Sequence, residues 1–509
     1  MNVELDSALD ERSTATAPTV APQPETKLSD RAIKSSAWLF GIRATVHACL
    51  MLQVVVLVKF LSPEQFGIVG IALLCLSMLK TFTEGGMDLA LIQRQDDIQM
   101  YLPTAWTVQV IRGVFIASML FLLAPYCCQF FNQPEATQFI QAFGIPVLIA
   151  GFMSIGIVEF KKQVQYQKLV AFEVVPAILS FVITILIAYQ FHTIWAILIG
   201  RIAESVAKVV ISFQIHPFRP RLEINRAHFR DLFGFGKWIY MSSILLFLLN
   251  QGDNIVVGRI LGASWLGFYQ FAFRIAKLPV TEVNSTLGQV LFPAFSRLQN
   301  DVPRLKSAYF RSLTIILTLT IPFALGIFVI APYAIPVFLG DEWAPAVQLV
   351  QIFSLLGLLV SVGSTTGNIF KAVGRPSYTT LSQFCRAVIM FTAMLPLMQW
   401  RGAVGAAYAV VLSELAVGGF LLMAVASLLH ASLRDFLRCC ACQLAAALLM
   451  VLGVHFTGQQ LGQPYTITDF LALMFAGAAI YAPLLALLDL LFHLGLIRML
   501  REIFLRWRK

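Results

Sequence analysis

Residues 103–125 read PTAWTVQVIRGVFIASMLFLLAP, a run in which Arg112 is the one charged side chain. At about 1.5 Å per residue, a helix of this length crosses roughly 30 Å of hydrocarbon. Similar runs recur from Trp38 almost to the C-terminus with only short polar connections. The pattern predicts an all-α polytopic membrane protein of about fourteen transmembrane helices, at 38–60, 66–84, 103–125, 138–158, 170–190, 193–213, 238–259, 265–291, 308–330, 346–367, 378–399, 403–427, 437–456 and 468–491. Composition agrees, because a 509-residue chain that is 58% hydrophobic and 13% charged holds more apolar surface than one soluble core can bury. No soluble catalytic domain fits between the spans.

The formal net charge is +10, and the surplus sits in every second connection. Arg94, then Lys161, Lys162 and Lys168, then Arg219, Arg221, Arg226 and Arg230 begin the series. Arg297, Arg304 and Lys306, then Lys371 and Arg375, then Arg434 and Arg438 continue it. The N-terminal tail adds Lys27, Arg31 and Lys34, and the C-terminal tail ends on Arg506, Arg508 and Lys509. Positive charge orients short loops toward the cytoplasm, which predicts a multi-pass membrane protein with both termini inside. The excess charge is then topology and not a nucleic-acid footprint. Trp195, Trp265, Trp343 and Trp400 fall at predicted outer ends of spans, where an indole suits the interface.

Residues 1–34 are read as a disordered cytoplasmic tail, rich in Ala, Pro, Thr and acids early on and without the short apolar stretch of a signal peptide. Residues 493–509 alternate Leu, Ile and Phe with Arg and are read as a basic amphipathic helix on the anionic inner surface. Eight scattered cysteines include no CxxC pair and no zinc spacing, so they are assigned to packing; no metal site and no cofactor is expected.

An offset of 200 places Lys59, Leu61 and Gly67 of KFLSPEQFG on Arg259, Leu261 and Gly267 of RILGASWLG. Each segment joins the first two helices of a six-helix unit, so the repeat predicts two parallel lobes with a substrate site between them. The lobes occupy 35–215 and 237–430, a basic cytoplasmic linker 216–236 joins them, and 431–492 adds two C-terminal helices. The stretches FLSPEQFGIVGIALL and GGMDLALIQR, then NQGDNIVVGRILGASWLGFYQFA, LFPAFSRLQND and KAVGRPS, resemble the polysaccharide exporters of the MOP superfamily. Within that superfamily they are most similar to Wzx-type flippases of exopolysaccharide, colanic acid and teichuronic acid pathways, over roughly residues 35–430. The resemblance implies a carrier, not an enzyme, that moves polyprenyl-pyrophosphate-linked oligosaccharide by alternating access. Membrane lipid, polysaccharide polymerase and export machinery are its candidate partners.

Charges inside apolar spans cost about 2.5 to 3.5 kcal/mol each on insertion scales, so each needs a cavity or a partner. In span 8, Gln270, Arg274, Lys277, Thr281, Ser285 and Gly288 fall on one helical stripe. Arg274 and Lys277 have no compensating acid on that stripe, which leaves two readings: capture of a pyrophosphate, or pairing with an acid on another helix. Span 6 carries Arg201, Glu204 and Lys208, where Glu204 can neutralise one cation and leave the other toward the cavity. Arg43 of span 1 either lines the cavity or snorkels to the inner interface, with His47 one turn deeper as a helix contact or a proton carrier. Arg112 and Arg386 lie near mid-membrane and are assigned to cavity lining. An excess of guanidinium groups suits a diphosphate, since each makes paired charge-assisted bonds to phosphate oxygens.

Glu173, Asp253, Glu282 and Glu414 are the acids inside spans. Asn250, Asp253 and Asn254 share a helix face and either coordinate a coupling cation or play a structural capping role. Murein-precursor flippases, which the chain distantly resembles, use an acid of the seventh span with polar groups of the eleventh for a cation; here span 11 also holds Arg386. The absence of a nucleotide-binding loop points to an ion gradient as the energy source. Two rival functions follow from the same features. A multidrug or cation antiporter of the superfamily would normally stop at twelve spans and line its cavity with acids, and a polysaccharide polymerase would need a large outer loop, for which 457–466 is too short.

Overall fold

The computed structural model describes residues 25–83, 91, 98–163, 165–461 and 466–492. The first part of the N-terminal tail, Arg94 and the basic stretch 493–509 lie outside them, as do the side chains of Lys27, Arg31, Lys34, Arg226, Arg230, Thr281, Glu282 and Ser285. Every regular element among the described residues is a helix, and the chain is a polytopic all-α membrane protein.

Among the described residues, nine helices are long and apolar enough by length and composition to cross a bilayer. One of them, Ser377–Leu429, is two spans: Arg401 and Gly402 leave helical geometry, and Gly402 takes φ +58 to reverse the chain. Gly405 then packs so closely on the Leu397 carbonyl that a Cβ there would overlap it. The other predicted spans are less apolar or less regular. Span 1 runs Glu25–Leu57, with an apolar part Gly41–Leu57. Span 6 (Trp195–Ile215) carries Arg201, Glu204 and Lys208, and span 8 (Ala263–Arg297) carries Gln270, Arg274 and Lys277. The remaining spans are Pro63–Thr83, Leu102–Phe130, Tyr166–Phe191, Arg226–Leu261, Val302–Leu339, Ala346–Ala372, Leu433–Gln460 and Ile467–Phe492, numbered 2, 3, 5, 7, 9, 10, 13 and 14.

Span 4 departs from the continuous helix expected over 138–158. It is helical at Thr137–Ala142 and Gly144–Gly151, unwinds, and resumes at Ile157–Lys162. Open backbone inside a bilayer persists only where protein satisfies it. Gln109 of span 3 donates to the Gly151 and Met153 carbonyls at 3.1 and 2.9 Å, and Ser212 Oγ accepts from the Ser154 amide at 3.0 Å. The break is thus held by side chains of two neighbouring spans.

Helix ends follow local chemistry. Ser432 and Asp435 form a reciprocal capping box at the start of span 13, and Lys306 reaches across to Asp435 at 2.8 Å. At the end of span 10 the Gly374 amide donates to the Lys371 carbonyl and the Arg375 amide to that of Phe370. With Gly374 at φ +73 this is a Schellman turn, which explains the Gly-Arg-Pro order of KAVGRPS.

Apolar packing among the described residues gathers into five clusters, of which three are large. One joins spans 1–6 and includes Ala263 and Leu266 of span 8. A second joins spans 7–12 and includes Val54 and Val58 at the end of span 1 and Phe66 of span 2. A third gathers spans 9, 10 and 12 with the additional spans 13 and 14. Trp195, Trp265 and Trp400 are 39%, 37% and 65% exposed, as an interfacial site requires. Trp343 departs from the expected interfacial place: it is only 1% exposed, wedged edge-on against Phe66, Phe268 and Phe271 within the second cluster.

The stretch after span 6 is fastened to the first cluster's helices. His216 is buried; its Nδ1 accepts from the Phe218 amide, which leaves the proton on Nε2, 3.0 Å from Glu159 Oε2. Arg219 donates to the carbonyls of Phe213 and His216, and the Glu223 and Asn225 amides donate to Thr107 and Thr104 at the start of span 3.

Candidate functional site: a cationic cavity beside a balanced pocket

The connections rich in Lys and Arg lie at what is here termed the basic end, and those between spans 1 and 2 and spans 7 and 8 at the neutral end. At the neutral end the repeated motifs meet each other. A Cβ on Gly67 would overlap the Ala263 carbonyl, and one on Gly267 would overlap the Pro63 carbonyl. The two glycines that aligned at an offset of 200 therefore make reciprocal backbone contacts, with the absent side chain allowing the close approach. Arg259 donates to Asn132 Oδ1 at 3.1 Å and lies over the Phe130 ring at the same end.

One turn further in, Gly70 faces the Gln270 side chain, and a polar cavity of about 360 Å³ begins. Its lining includes Ser77 and Lys80 of span 2, Arg201 of span 6, Asn250 and Asn254 of span 7, and Gln270 and Arg274 of span 8. Arg201 and Arg274 lie inside their spans and Lys80 in the last turn of span 2, yet all three have exposed side chains, because the space they meet is this cavity. No hydrogen bond or ion pair to a described residue holds any of the three charged groups, and the lining contains no carboxylate. Arg201 is the common neighbour, within electrostatic reach of both Lys80 and Arg274. Three mutually repelling cations in a partly desolvated void favour an anionic occupant.

A second polar void lies on the other side of Phe273, between spans 7, 8, 10, 11 and 12. It brings Asp253, Lys277, Arg386 and Glu414 together around about 20 Å³, room for roughly one water. Arg386 pairs with Glu414 at 3.2 Å, Tyr269 donates to Asp253 Oδ2 at 3.0 Å, and Lys277 lies 4.6 Å over the Phe273 ring. Two cations here face two acids.

The expected stripe of span 8 is therefore split by Phe273. Gln270 and Arg274 look into the cavity, whereas Lys277 joins the acids. Arg386 is also placed in the balanced pocket. Arg112 is positioned differently from its expected lining role: Nε donates to Thr83 Oγ1 at 3.1 Å and a terminal nitrogen to the Lys80 carbonyl at 3.0 Å, which caps the end of span 2. Lys208 pairs with Glu204 at 2.8 Å and approaches Glu173 at 4.0 Å, so the intrahelical neutralisation leaves Arg201 as the open cation of span 6. Arg43 is exposed on span 1 and lines neither void; His47 bonds the Arg43 carbonyl through Nδ1. Asn250 borders both voids, and Asn254 donates to Gln251 and Asp253 while its Oδ1 has no partner.

Sequence reasoning missed Lys80. It falls beside a basic connection, where a cation reads as topology, but the glycines Gly67 and Gly70 on its own helix mark a face on which span 8 closes. It also missed the apolar groove of about 640 Å³ behind span 8, bordered by Val55, Phe271, Ile275 and residues of spans 9, 13 and 14 including Phe323, Met450 and Met474. Among the described residues, no cluster of three His, Cys, Asp or Glu is gathered as a metal site.

A family profile described as polysaccharide biosynthesis protein matches residues 56–348. The chain is 23% identical over 380 residues to the lipopolysaccharide biosynthesis protein WzxC of Escherichia coli (strain K12), covering 74% of this chain and 77% of that protein. It is 24% identical over 488 residues to the succinoglycan biosynthesis transport protein ExoT of Rhizobium meliloti (strain 1021), covering 93% and 94% respectively. The fold is similar to the solved structure of the lipid II flippase MurJ in an inward closed conformation, with a TM-score of 0.68 at 15% identity over 90% of this chain and 99% of that one.

Proposed function

Because this chain belongs to the family of polysaccharide biosynthesis proteins, we propose that it is a flippase carrying polyprenyl-pyrophosphate-linked oligosaccharide across the bacterial inner membrane by alternating access. Span 8 carries the argument. Its Gln270 and Arg274 face a cavity with three unpaired cations, while Phe271 and Ile275 of the same helix border an apolar groove. A diphosphate joined to a long hydrocarbon is the ligand class that needs both surfaces within one helix diameter. The diphosphate lies between Lys80, Arg201 and Arg274, where guanidinium forks match its oxygens, and the polyprenyl chain lies along spans 9, 13 and 14. A cation antiporter would need the opposite sign in the cavity.

The charge pattern argues for both termini in the cytoplasm and for lobes at 35–215 and 237–430; of the connection expected at 216–236, the part from Arg226 onward is already the first turns of span 7. The cavity then loads from the inner side, and the glycine seam between spans 2 and 8 is the outer gate. Polymerase and export machinery take the sugar once it has crossed. Coupling is assigned to Asp253. Lys277 and Arg386 line the same void as Asp253 and repel a metal cation there, which favours a proton as the driving ion.

Flipping of a labelled polyprenyl-pyrophosphate oligosaccharide by the protein in vesicles tests this reading. Transbilayer movement that an imposed proton gradient accelerates and a sodium gradient does not is expected, with the acceleration lost in Asp253→Asn. Rates equal to empty vesicles would end the assignment, and rates indifferent to both gradients would make the carrier passive and Asp253 structural.

A further inference from the structure

The end of span 12 and the turn between spans 10 and 11 enclose a recess of about 560 Å³ that shares no residue with the cavity, the groove or the balanced pocket. Its rim is Arg375, Tyr378 and Ser427, and its wall is Phe370, Phe420 and Met423. We propose that this recess is a binding site for one anionic phospholipid of the inner leaflet, with the lipid phosphate on Arg375 and an acyl chain against Phe420 and Met423.

Four observations carry it. The recess lies at helix ends, just past Ala372 and just before Leu429, which is the depth of headgroups and not of mid-bilayer. The Arg375 side chain has no hydrogen bond or ion pair to a described residue, although the Schellman turn and Pro376 fix its backbone. The guanidinium is thus free to take a phosphate with its planar fork, while its anchor point stays fixed. Tyr378 stacks on Phe370 with centroids 4.7 Å apart and planes at 10°, so two of the residues that line the recess with Arg375 brace each other. Phe420 and Met423, 37% and 68% exposed, line the recess from span 12 further from its end at Leu429, so charge and hydrocarbon stand in the order of a phospholipid.

One cation matches a phosphodiester better than a diphosphate, which carries more charge and has three cations in the central cavity. The proposal takes from the functional reading only its membrane orientation and does not depend on flipping.

Native mass spectrometry of the purified full chain, equilibrated in nanodiscs of phosphatidylglycerol and phosphatidylcholine at equal ratio, tests it. Retained lipid should be enriched in phosphatidylglycerol by about fivefold, the scale for one basic side chain at an anionic surface. Arg375→Gln should bring retention to the bulk ratio, and Arg375→Lys should keep part of the enrichment, with the thermal unfolding midpoint of both near native. A phosphatidylglycerol bearing a photoreactive acyl chain should label Met423 in the native protein and much less in Arg375→Gln. Retention at the bulk ratio in the native protein overturns the proposal. So does equal enrichment in Arg375→Gln, or displacement of phosphatidylglycerol from this site by equimolar polyprenyl diphosphate.

Discussion

The cavity between spans 2, 6, 7 and 8 and the pocket between spans 7, 8, 10, 11 and 12 share Asn250 and Phe273. The first holds Lys80, Arg201 and Arg274 without an acid; the second matches Lys277 and Arg386 with Asp253 and Glu414. Both break the rule against charge in a bilayer, and each resolves the breach differently. Paired charges are part of the fold, because removing one strands another in low dielectric. Cations with no hydrogen bond or ion pair among the described residues add no pairing energy to the fold and are available to a ligand. Charge in a membrane span is thus informative only together with what faces it.

The largest expected effect comes from breaking the balance. Glu414→Ala leaves Arg386 alone and should lower stability by about 3 kcal/mol or more, measured as the thermal unfolding midpoint in detergent. Replacing both, Arg386→Met with Glu414→Leu, should restore most of the loss. A native midpoint for the single variant would erase the distinction between the voids. Lys277→Ala belongs to the same class and should unfold early.

Next comes the cavity. Arg274→Ala should weaken binding of the lipid diphosphate by about 10- to 100-fold, the range for charge-assisted hydrogen bonds, with a midpoint no lower than native. Arg274→Lys should recover part of the binding, since it keeps charge but loses the bidentate fork. A lowered midpoint in Arg274→Ala would mean that an acid does pair with it. Lys80→Ala, a substitution the sequence alone did not suggest, should behave as Arg274→Ala does.

The seam above the cavity ranks third. Gly67→Ala and Gly267→Ala overpack the contact by about 1 to 3 kcal/mol and should push the neutral end open. A cysteine at Ser77 should then react faster with an impermeant thiol reagent added from that side; unchanged reactivity would show that the seam is not what seals the cavity. Last, Arg112→Gln removes a cap on span 2 and should cost about 1 kcal/mol in stability while diphosphate affinity stays native. A fall in affinity comparable to that of Arg274→Ala would return Arg112 to the cavity.

Much of the architecture is legible in hydropathy, because a bilayer demands long apolar runs regardless of their neighbours. Spans 3, 5, 9, 10, 13 and 14 appear near their predicted places for that reason. Span 4 was not legible, because its break depends on Gln109 and Ser212, which are distant in sequence. The cavity was half legible. Arg201 and Arg274 stood out as charges in apolar runs, but the separation of Arg274 from Lys277 rests on the ring of Phe273 and on acids of spans 7 and 12. Gly67 and Gly267 were visible as a repeat, and nothing in one dimension said that the two copies touch each other.

The fastening of residues 216–225 bears on how far the two halves can move. An extended stretch of ten residues could reach about 33 Å if it hung loose. Here His216 is moored to Glu159, and the amides of Glu223 and Asn225 are tied down to Thr107 and Thr104. That slack is already taken up before span 7 begins at Arg226. The halves are joined by a short leash with its swivel after Asn225, which permits rocking about a fixed point and forbids drifting apart in the plane of the membrane.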